Sequence, residues 1–372
     1  MTKLHELFKD QGQSPWLDNL RRDYLRSGRL AAYLESGIRG VTSNPTIFAK
    51  AIESDTDYDE QFASLVGENK TIEEVYWDMV IDDVTQACDL LRPVYEENGH
   101  NDGFVSIEVA PSLAHDANST VQAARTLHNR INRPNLLVKI PATVEGLTAI
   151  ETMIAEGKSV NVTLIFGLER YEQVIEAYLS GLERLLASGD KPLSEVHSVA
   201  SFFVSRVDTE VDKRLEKSLA HGGISSLHKL QGKAAVAQAK LAYQLFVSRF
   251  TSKRFLALAE KGALLQKPLW ASTSTKNPDY SDLAYVDPLI GPDTINTMPE
   301  VTIDAFLDHG TVERTVDRDL DDARRYVDEL ASVGISMAEV SAVLEAQGVA
   351  SFEQSFDELI KTLTDKAEKL KG

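Results

Sequence analysis

The stretch that decides the fold of this chain is Asn135-Leu136-Leu137-Val138-Lys139-Ile140-Pro141. It is a short, apolar and partly β-branched run of the kind that forms a buried strand. Alternate side chains of a strand share a face, so Lys139 points the same way as Leu137. Burial of a lone ammonium is costly and favours either a counter-charge or a neutral amine. A neutral amine is the nucleophile of Schiff-base chemistry, and we predict that role for Lys139.

Seven other runs of the same kind lie along the chain and are separated by longer helical patterns. The eight predicted strands cover residues 14–20, 38–43, 103–109, 135–140, 159–166, 196–205, 267–273 and 293–298. Eight strands that alternate with helices indicate an α/β fold with parallel β-α units, closed into a (β/α)8 TIM barrel. The alternative is an open doubly wound sheet, which is disfavoured because no GxGxxG motif follows any of the strands.

The C-terminal part of the chain has a different pattern. Charged amphipathic periodicity predicts two extra helices over residues 319–332 and 336–371, with a turn at 333–335. We expect a single domain over residues 1–372, with a barrel core at about 14–320 and a helical extension at about 320–372. The apolar stripe of the last helix, which includes Phe352, would pack on the barrel exterior or near its mouth, or form an oligomer contact.

Charge and cysteine content limit the classes of function. The formal net charge of −18 argues against a nucleic-acid partner, and an anionic substrate would need a few local cations. The single cysteine excludes an internal disulfide, and no apolar run has the length of a signal peptide or a membrane span. We therefore expect a cytoplasmic protein that binds neither nucleic acid nor membrane.

Nearly every predicted strand carries a polar residue inside it or just after it. These residues are Asp18, Thr42, Asn44, Glu108, Lys139, Asn161, Thr163, Ser201, Arg206, Ser272 and Lys276. Any one of them alone would be interpreted as a solvated strand end, but together they favour an active site at the C-terminal end of a barrel. Asp18 and Glu108 are the carboxylates available for acid–base catalysis. Either could instead only neutralise Lys139, and a lysine paired to Glu108 without a chemical role is the alternative.

Four motifs in this order resemble those of the transaldolase family. They are Gly40-Val41-Thr42-Ser43-Asn44-Pro45-Thr46, Leu137-Val138-Lys139-Ile140-Pro141-Ala142-Thr143 followed by Gly146, Asn161-Val162-Thr163-Leu164-Ile165-Phe166, and Ser201-Phe202-Phe203-Val204-Ser205-Arg206. The resemblance covers about residues 14–300. It implies transfer of a dihydroxyacetone unit from sedoheptulose 7-phosphate to glyceraldehyde 3-phosphate in the pentose phosphate pathway, without metal or organic cofactor.

The resemblance also implies residue roles. Lys139 would form the Schiff base, Asp18 would be the acid and base of carbon–carbon cleavage, and Glu108 with Thr163 would hold the catalytic water. Substrate binding would fall to Asn44, Asn161, Ser201, Phe203, Arg206, Ser272 and Lys276. Among these, Asn44 and Asn161 would bind hydroxyls of the transferred unit, and Arg206 would bind the phosphate. The partners would be phosphosugars, and the family includes monomers and dimers, so a homodimer stays open.

Two departures from the family pattern are visible. The family places a second arginine after strand seven, whereas here residues 271–278 offer Lys276, a point charge instead of a bidentate fork. The regions 208–232 and 276–300 are also longer than a minimal transaldolase needs, and they resemble the longer bacterial branch of the family. This lengthening would reshape the acceptor side of the site.

Three competing functions remain at this point. A fructose 6-phosphate aldolase would share the fold and the lysine, but those chains are much shorter and lack an acidic residue after strand one. A phosphosugar-binding barrel without catalysis would keep Arg206 and Lys276 but has no use for a buried lysine. A carboxylate-based sugar isomerase would use Glu108 as base and Lys139 as electrophile.

Overall fold

The computed structural model describes residues 1–54, 56–68, 70–220 and 225–371. Seven parallel strands form one sheet in the spatial order β1-β7-β6-β5-β4-β3-β2. The strands are β1 (Gln13–Leu17), β2 (Val105–Glu108), β3 (Leu136–Pro141), β4 (Val160–Ile165), β5 (Ser198–Phe203), β6 (Gln266–Ala271) and β7 (Thr294–Met298). All seven overlap predicted strands: four lie inside the predicted ranges, and β1, β3 and β6 extend one residue beyond them. Apart from one partly exposed residue in β6, all strand residues are buried, as expected for a parallel sheet.

The predicted strand at residues 38–43 is reduced to a single bridging residue, Val41, which pairs in parallel with Leu17 of β1 and with Val105 of β2. The backbone of this segment still bonds to both neighbours: Leu17 N donates to Gly40 O, and Val41 N donates to Phe104 O, both at 2.9 Å. The segment therefore occupies the position of the eighth barrel strand. It joins the two edge strands and closes the barrel, which confirms the predicted TIM-barrel fold.

Regular pairing in this segment is limited to Val41, although backbone hydrogen bonds continue on either side: Arg39 N donates to Pro15 O and Thr42 N donates to Leu17 O, both at 2.9 Å. A Cβ atom on Gly40 would lie 2.3 Å from the Trp16 ring, so only glycine lets the buried indole pack there. Beyond Val41, the hydroxyl of Thr42 donates to Asp18 and that of Ser43 donates to the carbonyl of Ser106. These side-chain contacts add to the backbone hydrogen bonds of the segment. The prediction of a full strand at 38–43 was wrong in length, because only Val41 forms regular parallel bridges to its neighbours.

Fifteen α-helices lie before, between and after the strands in the described residues. They are α1 (Lys3–Gln11), α2 (Arg22–Ser27), α3 (Arg29–Glu35), α4 (Pro45–Ser54), α5 (Asp59–Val66), α6 (Ile72–Glu97), α7 (Ala117–Ile131), α8 (Val144–Ala155), α9 (Leu168–Ser188), α10 (Ser205–Ala220), α11 (Ala234–Phe250), α12 (Lys253–Ala259), α13 (Glu300–His309), α14 (Leu320–Ser332) and α15 (Met337–Lys371). Several start at a capping side chain. Thr143, directly after β3, accepts a hydrogen bond from Gly146 N and so begins α8.

The last helix crosses the end of the barrel where the strands terminate. In its first half, Ser341 Oγ donates to the carbonyl of Phe166, just after β4, at 2.8 Å. In its second half, the hydroxyl of Thr46 in α4 donates to Ser355 at 3.0 Å, and Phe352 lies between these two anchors. Of the placements that the sequence left open for α15, the structure therefore supports the one near the barrel mouth.

One hydrophobic cluster runs through the described residues, from Leu4 to Ala367, and includes both barrel and C-terminal helices. This continuity supports our proposal of a single domain, with a barrel core at about 14–320 and an extension at about 320–372. In the described part of the chain, no helix combines the length and the apolar character needed to cross a bilayer. Of the long region predicted at 208–232, residues 221–224 lie outside the described residues.

Candidate active site

A cavity of about 200 Å³ opens at the carboxyl ends of the strands. Its lining residues are Asp18, Thr42, Asn44, Lys139, Thr163, Ser201, Phe203, Arg206, Ala271, Ser272, Ser274, Lys276, Thr297, Pro299 and Phe352. Nine of the eleven predicted site residues are in this set. The other two, Glu108 and Asn161, are buried next to lining residues. The structure thus brings all eleven together.

A second cavity, of about 410 Å³, is larger but chemically different. It includes His197, Lys267 and Asp293, which lie at the starts of strands, at the opposite end of the barrel. None of the predicted site residues lines it. In barrel enzymes catalysis occurs at the carboxyl ends of the strands, so the smaller cavity is the candidate active site.

Lys139 is near the end of β3, beside Glu108 of β2 and Asn161 of β4 in the strand register. Only 5% of the residue is exposed. Its Nζ atom donates to the carbonyl of Ser43 at 3.0 Å and lies 3.2 Å from Glu108 Oε2. The lysine is therefore both paired to a carboxylate and in contact with the cavity. Pairing and a chemical role, which the sequence posed as alternatives, are compatible.

Glu108 forms an incomplete pair with this lysine. Oε2 approaches Nζ at 3.2 Å but has no partner of hydrogen-bond geometry among the described residues. Burial raises the pKa of Glu108, which the charge of Lys139 opposes and the charge of Asp18 reinforces. A carboxyl that favours its protonated form next to an amine can exchange a proton with it.

Asp18 follows β1 and is partly exposed to the cavity. Its Oδ1 atom accepts a hydrogen bond of 2.7 Å from Thr42, whose hydroxyl is 2.6 Å from that of Thr297. Since the single hydroxyl proton of Thr42 goes to Asp18, Thr297 is the donor in the second contact. Burial raises the pKa of Asp18, while Lys139 and the Thr42 hydrogen bond act to lower it. The residue is held in place and poised to take up a proton.

Asn161 is fully buried, and both ends of its amide are engaged. Ser201 Oγ donates to its Oδ1 at 2.7 Å, and its Nδ2 donates to Ser106 Oγ at 3.0 Å. This chain of hydrogen bonds links β5, β4 and, across the barrel interior past β3, β2, and it fixes the hydroxyl of Ser201 at the cavity wall. Direct contact between Asn161 and a substrate hydroxyl stays a prediction. Ser106 was missed by the sequence analysis, because serine inside an apolar run gives no separate signal.

The end of β4 has unusual backbone geometry. Leu164 has a φ of 59°, in the left-handed region, and the register between β4 and β5 shifts between Val162 and Ile165. A leucine in this conformation stores strain of about 1–3 kcal/mol, and such strain is concentrated at functional sites. The preceding residue, Thr163, lines the cavity, and its Oγ1 atom is buried without a hydrogen-bond partner among the described residues.

The cations of the site lie on the side formed by β5 and β6. Arg206, in the first turn of α10, lies between the rings of Phe203 at 5.5 Å and Phe352 at 5.9 Å. It is half-buried, burial lowers its pKa, and among the described residues no carboxylate forms an ion pair with it. A guanidinium stays charged nonetheless, so the arrangement is suited to an incoming anion.

Lys276 lines the same cavity and is exposed to solvent. Its Nζ atom donates to Ser274 Oγ at 2.9 Å. Nearby, Ser272 has a φ of 57°, and its hydroxyl lies 3.0 Å from that of Ser205 at the start of α10. The loop after β6 is thereby joined to α10, and two cations, one from each element, face one cavity.

Asn44 serves a local structural role as well as lining the cavity. Its Oδ1 atom accepts a hydrogen bond from Ile47 N at 3.0 Å, in the first turn of α4. Thr42, named among the polar strand-end residues but given no role, also lines the cavity. The lining residues that the sequence did not assign to the site are Ala271, Ser274, Thr297, Pro299 and Phe352. Phe352 arrives from a helix whose docking no local pattern reveals.

A closed parallel barrel with a buried lysine, two carboxylates and two cations at its carboxyl end defines an enzyme of the (β/α)8-barrel class. The model of the transaldolase/fructose-6-phosphate aldolase family matches residues 15–363. Similar proteins named transaldolase include one from Saccharopolyspora erythraea, 49% identical over 98% of both chains. Another, from Thermobifida fusca, is 50% identical over 94% of this chain and 95% of its own. The chain belongs to the transaldolase/fructose-6-phosphate aldolase family, which confirms the resemblance found in the four motifs.

Proposed function

We propose that this protein is a transaldolase, a transferase that moves a dihydroxyacetone unit between phosphosugars through a Schiff base on Lys139. The donor would be sedoheptulose 7-phosphate and the acceptor glyceraldehyde 3-phosphate, giving erythrose 4-phosphate and fructose 6-phosphate. The observation that carries the proposal is a 5% exposed lysine at a barrel strand end, 3.2 Å from a carboxylate and in contact with a cavity that two cations also line.

The reaction starts when the neutral amine of Lys139 attacks the C2 carbonyl of the donor. The resulting carbinolamine loses its hydroxyl as water and becomes a protonated imine. Glu108, whose protonated form burial favours, is the acid closest to this nitrogen at 3.2 Å. Its Oε2 atom and Oγ1 of Thr163 both lack hydrogen-bond partners among the described residues, which supports a shared role in holding the water of this step and of its reversal.

Carbon–carbon cleavage follows from the imine. Asp18 removes the proton of the C4 hydroxyl, the C3–C4 bond breaks, and the electron pair flows into the iminium to give an enamine. The aldose phosphate leaves, and the enamine then attacks the aldehyde of the acceptor while Asp18 returns the proton to the new alkoxide. The raised pKa of Asp18 suits both directions, because a base close to its working range can take and give a proton.

Substrate binding is divided between the two sides of the cavity. Arg206 and Lys276 would hold the phosphate, and Arg206 is already sandwiched between aromatic rings without a carboxylate partner in the described chain. The remaining binding residues of the proposal are Asn44, Asn161, Ser201, Phe203 and Ser272. They would orient the hydroxyls of the transferred unit and shape the wall. The proposal includes a cytoplasmic location and phosphosugars as partners.

Borohydride trapping tests the lysine, the donor and the reaction type together. Wild-type protein is incubated with fructose 6-phosphate, reduced with borohydride and digested. Mass spectrometry should then show a reduced adduct on the peptide that contains Lys139. An adduct on another lysine would overturn the assignment, and no adduct at all would favour the isomerase.

The family name also includes fructose 6-phosphate aldolases, which release dihydroxyacetone to water. Two observations favour transfer: the full-length similarity to proteins named transaldolase, and the position of Asp18 on the cavity wall. Product analysis separates the two. A transaldolase needs an acceptor aldehyde for turnover, whereas an aldolase would release free dihydroxyacetone from fructose 6-phosphate at the same rate without one.

A further inference from the structure

Two buried aspartates lie on α10 beyond Arg206, and the proposed mechanism uses neither of them. Asp208 is 1% exposed and Asp212 is 8% exposed. They are four residues apart, on the same face of the helix. Neither forms an ion pair with a cation of the described chain, although buried carboxylates normally have one. Their hydrogen-bond partners are neutral.

Each aspartate divides its two oxygens between the same two regions of the chain. Asp208 Oδ2 accepts from the hydroxyl of Tyr285 at 2.9 Å, and Asp212 Oδ2 accepts from that of Tyr280 at 2.7 Å. The other oxygens accept from backbone N–H groups at the start of α11, of Ala235 at 2.8 Å and Gly232 at 3.0 Å. The two carboxylates therefore join three segments: α10, the start of α11 and the long loop between β6 and β7.

The ring of Tyr280 is also fixed by packing. Gly232 has a φ of +70°, and a Cβ atom there would lie 2.7 Å from the Tyr280 ring. Glycine is thus needed both for its backbone conformation and for the close approach of the tyrosine. This arrangement leaves Tyr280 little freedom to move away from Asp212.

Lys276 lies at the junction between this network and the active site. It lines the catalytic cavity together with Arg206. It also lines a separate neighbouring cavity of about 310 Å³, whose wall includes both aspartates and both tyrosines of the network. Only three residues separate it from Tyr280 in the chain, and Tyr280 N donates to the carbonyl of Asn277. The loop that carries Lys276 is therefore tied to the helix that carries Arg206.

We infer that Asp208 and Asp212, acting through Tyr285 and Tyr280, are positioning residues that hold Lys276 beside Arg206 and so set the preference for phosphorylated substrates. This inference rests on the proposed function, because it concerns the phosphate end of the same site. The four residues do not touch substrate. They act by keeping the loop of Lys276, itself a flexible point charge, at a fixed distance from α10.

The test compares two donors that differ only in the phosphate, fructose 6-phosphate and fructose, with unphosphorylated glyceraldehyde as the acceptor for both. The double variant Tyr280→Phe/Tyr285→Phe removes both hydroxyls and retains both rings. Loss of hydrogen bonds to a charged group should raise KM for fructose 6-phosphate about tenfold. KM for fructose and both kcat values should change by less than about twofold, since the chemical groups are untouched.

Tyr178→Phe is the matched control. It removes one buried tyrosine hydroxyl, which donates to Leu264 O at 2.8 Å far from the site, and it should leave both KM values unchanged. The single variant Tyr280→Phe, at a partly exposed position, serves if the double variant does not fold, as judged by its thermal unfolding. An unchanged KM for fructose 6-phosphate, or an equal rise for both donors, would overturn the inference.

A mutant cycle tests whether the network acts through the lysine. Lys276→Ala alone should raise KM for fructose 6-phosphate, and adding the two tyrosine substitutions should raise it no further. A full additional effect in the Lys276→Ala background would contradict the inference. Trapping of the Lys139 adduct in wild type keeps the two proposals apart: without an adduct the proposed function fails, whereas an adduct with an insensitive KM refutes only the positioning role.

Discussion

Two cation–carboxylate pairs, Lys139–Glu108 and Arg22–Asp83, are buried to a similar extent but differ in how many of their polar atoms have hydrogen-bond partners. Arg22 and Asp83 are 4% and 0% exposed, and Lys139 and Glu108 are 5% exposed each. Arg22 Nε lies 2.8 Å from Asp83 Oδ1, and the guanidinium also donates to Met79 O. Asp83 uses its second oxygen to accept from Tyr58, whose ring lies 4.3 Å below the guanidinium.

Both oxygens of Asp83 accept hydrogen bonds, whereas the carboxylate of the Lys139 pair is only partly engaged. Glu108 Oε2 has no hydrogen-bond partner among the described residues, and Lys139 borders the cavity. The difference teaches that burial of a charge is not a sign of function. A buried pair is structural when its lone pairs and protons are all used, and it is available for chemistry when some are not.

The largest expected effect is the loss of turnover when the Lys139–Glu108 pair is broken. Lys139→Ala removes the nucleophile, so turnover should fall roughly 10⁴-fold or more. The fold should be retained, although the variant should lose some stability because Glu108 stays buried without its cation. Initial rates measure the first statement and circular dichroism the second. Substantial residual turnover would mean that another amine forms the Schiff base.

Breaking the Arg22–Asp83 pair should instead lower the stability of the protein and leave its activity unchanged. Arg22→Met retains much of the side-chain volume but leaves Asp83 buried without its cation, which should lower the free energy of unfolding by about 3–5 kcal/mol. Urea denaturation measures this loss. The kcat of the folded fraction should be unchanged, and a fall in kcat without loss of stability would contradict the structural role of the pair.

The Arg22–Asp83 pair should also make the stability of the protein depend on pH. Burial raises the pKa of Asp83 to about 6, against the opposing charge of Arg22, from an ordinary value of 3.8. The folded state then binds more protons than the unfolded state between these values, so stability falls as pH rises through the window from about 4 to 6. The variant Asp83→Asn has no titrating carboxyl at this position. The stability advantage of wild type over the variant should therefore shrink by about 1–3 kcal/mol from pH 4 to pH 7. Denaturation at several pH values tests this, and an advantage that grows with pH would show the opposite shift.

The smallest effect is expected from Tyr58→Phe. It removes one donor from Asp83 and the acceptor of the Arg22 backbone N–H but leaves the ring under the guanidinium, so it should cost about 1–2 kcal/mol of stability. Chemical denaturation measures the loss, with Tyr178→Phe as a second hydroxyl deletion for scale. A loss as large as that of Arg22→Met would show that the hydroxyl, and not the cation, holds the carboxylate.

Much of the fold followed from local pattern. All seven strands lie within one residue of predicted ranges, and the two C-terminal helices begin and end within one residue of prediction, because period and turn residues are local signals. The strand predicted at 38–43 was wrong in length, because regular pairing is limited to Val41 and depends on two edge strands that only the folded barrel brings together.

Most residues of the candidate site could also be predicted from a local signal, because they lie at strand ends. Asp18, Lys139 and Arg206 are recognisable because charged residues stand out in or after an apolar run. Phe352 could not be predicted, since its position depends on how α15 docks. The bond between Tyr285 and Asp208 joins residues 77 positions apart, and no local pattern records such a contact.

The volume of the catalytic cavity, about 200 Å³, sets the order of events in the proposed reaction. Drug-sized ligand sites usually exceed about 300 Å³, so this one has room for a single sugar phosphate. The first aldose must depart before the second aldehyde enters, and the enzyme waits between them as a covalent three-carbon adduct. Such double-displacement kinetics give parallel lines in reciprocal plots of initial rate at several fixed acceptor concentrations.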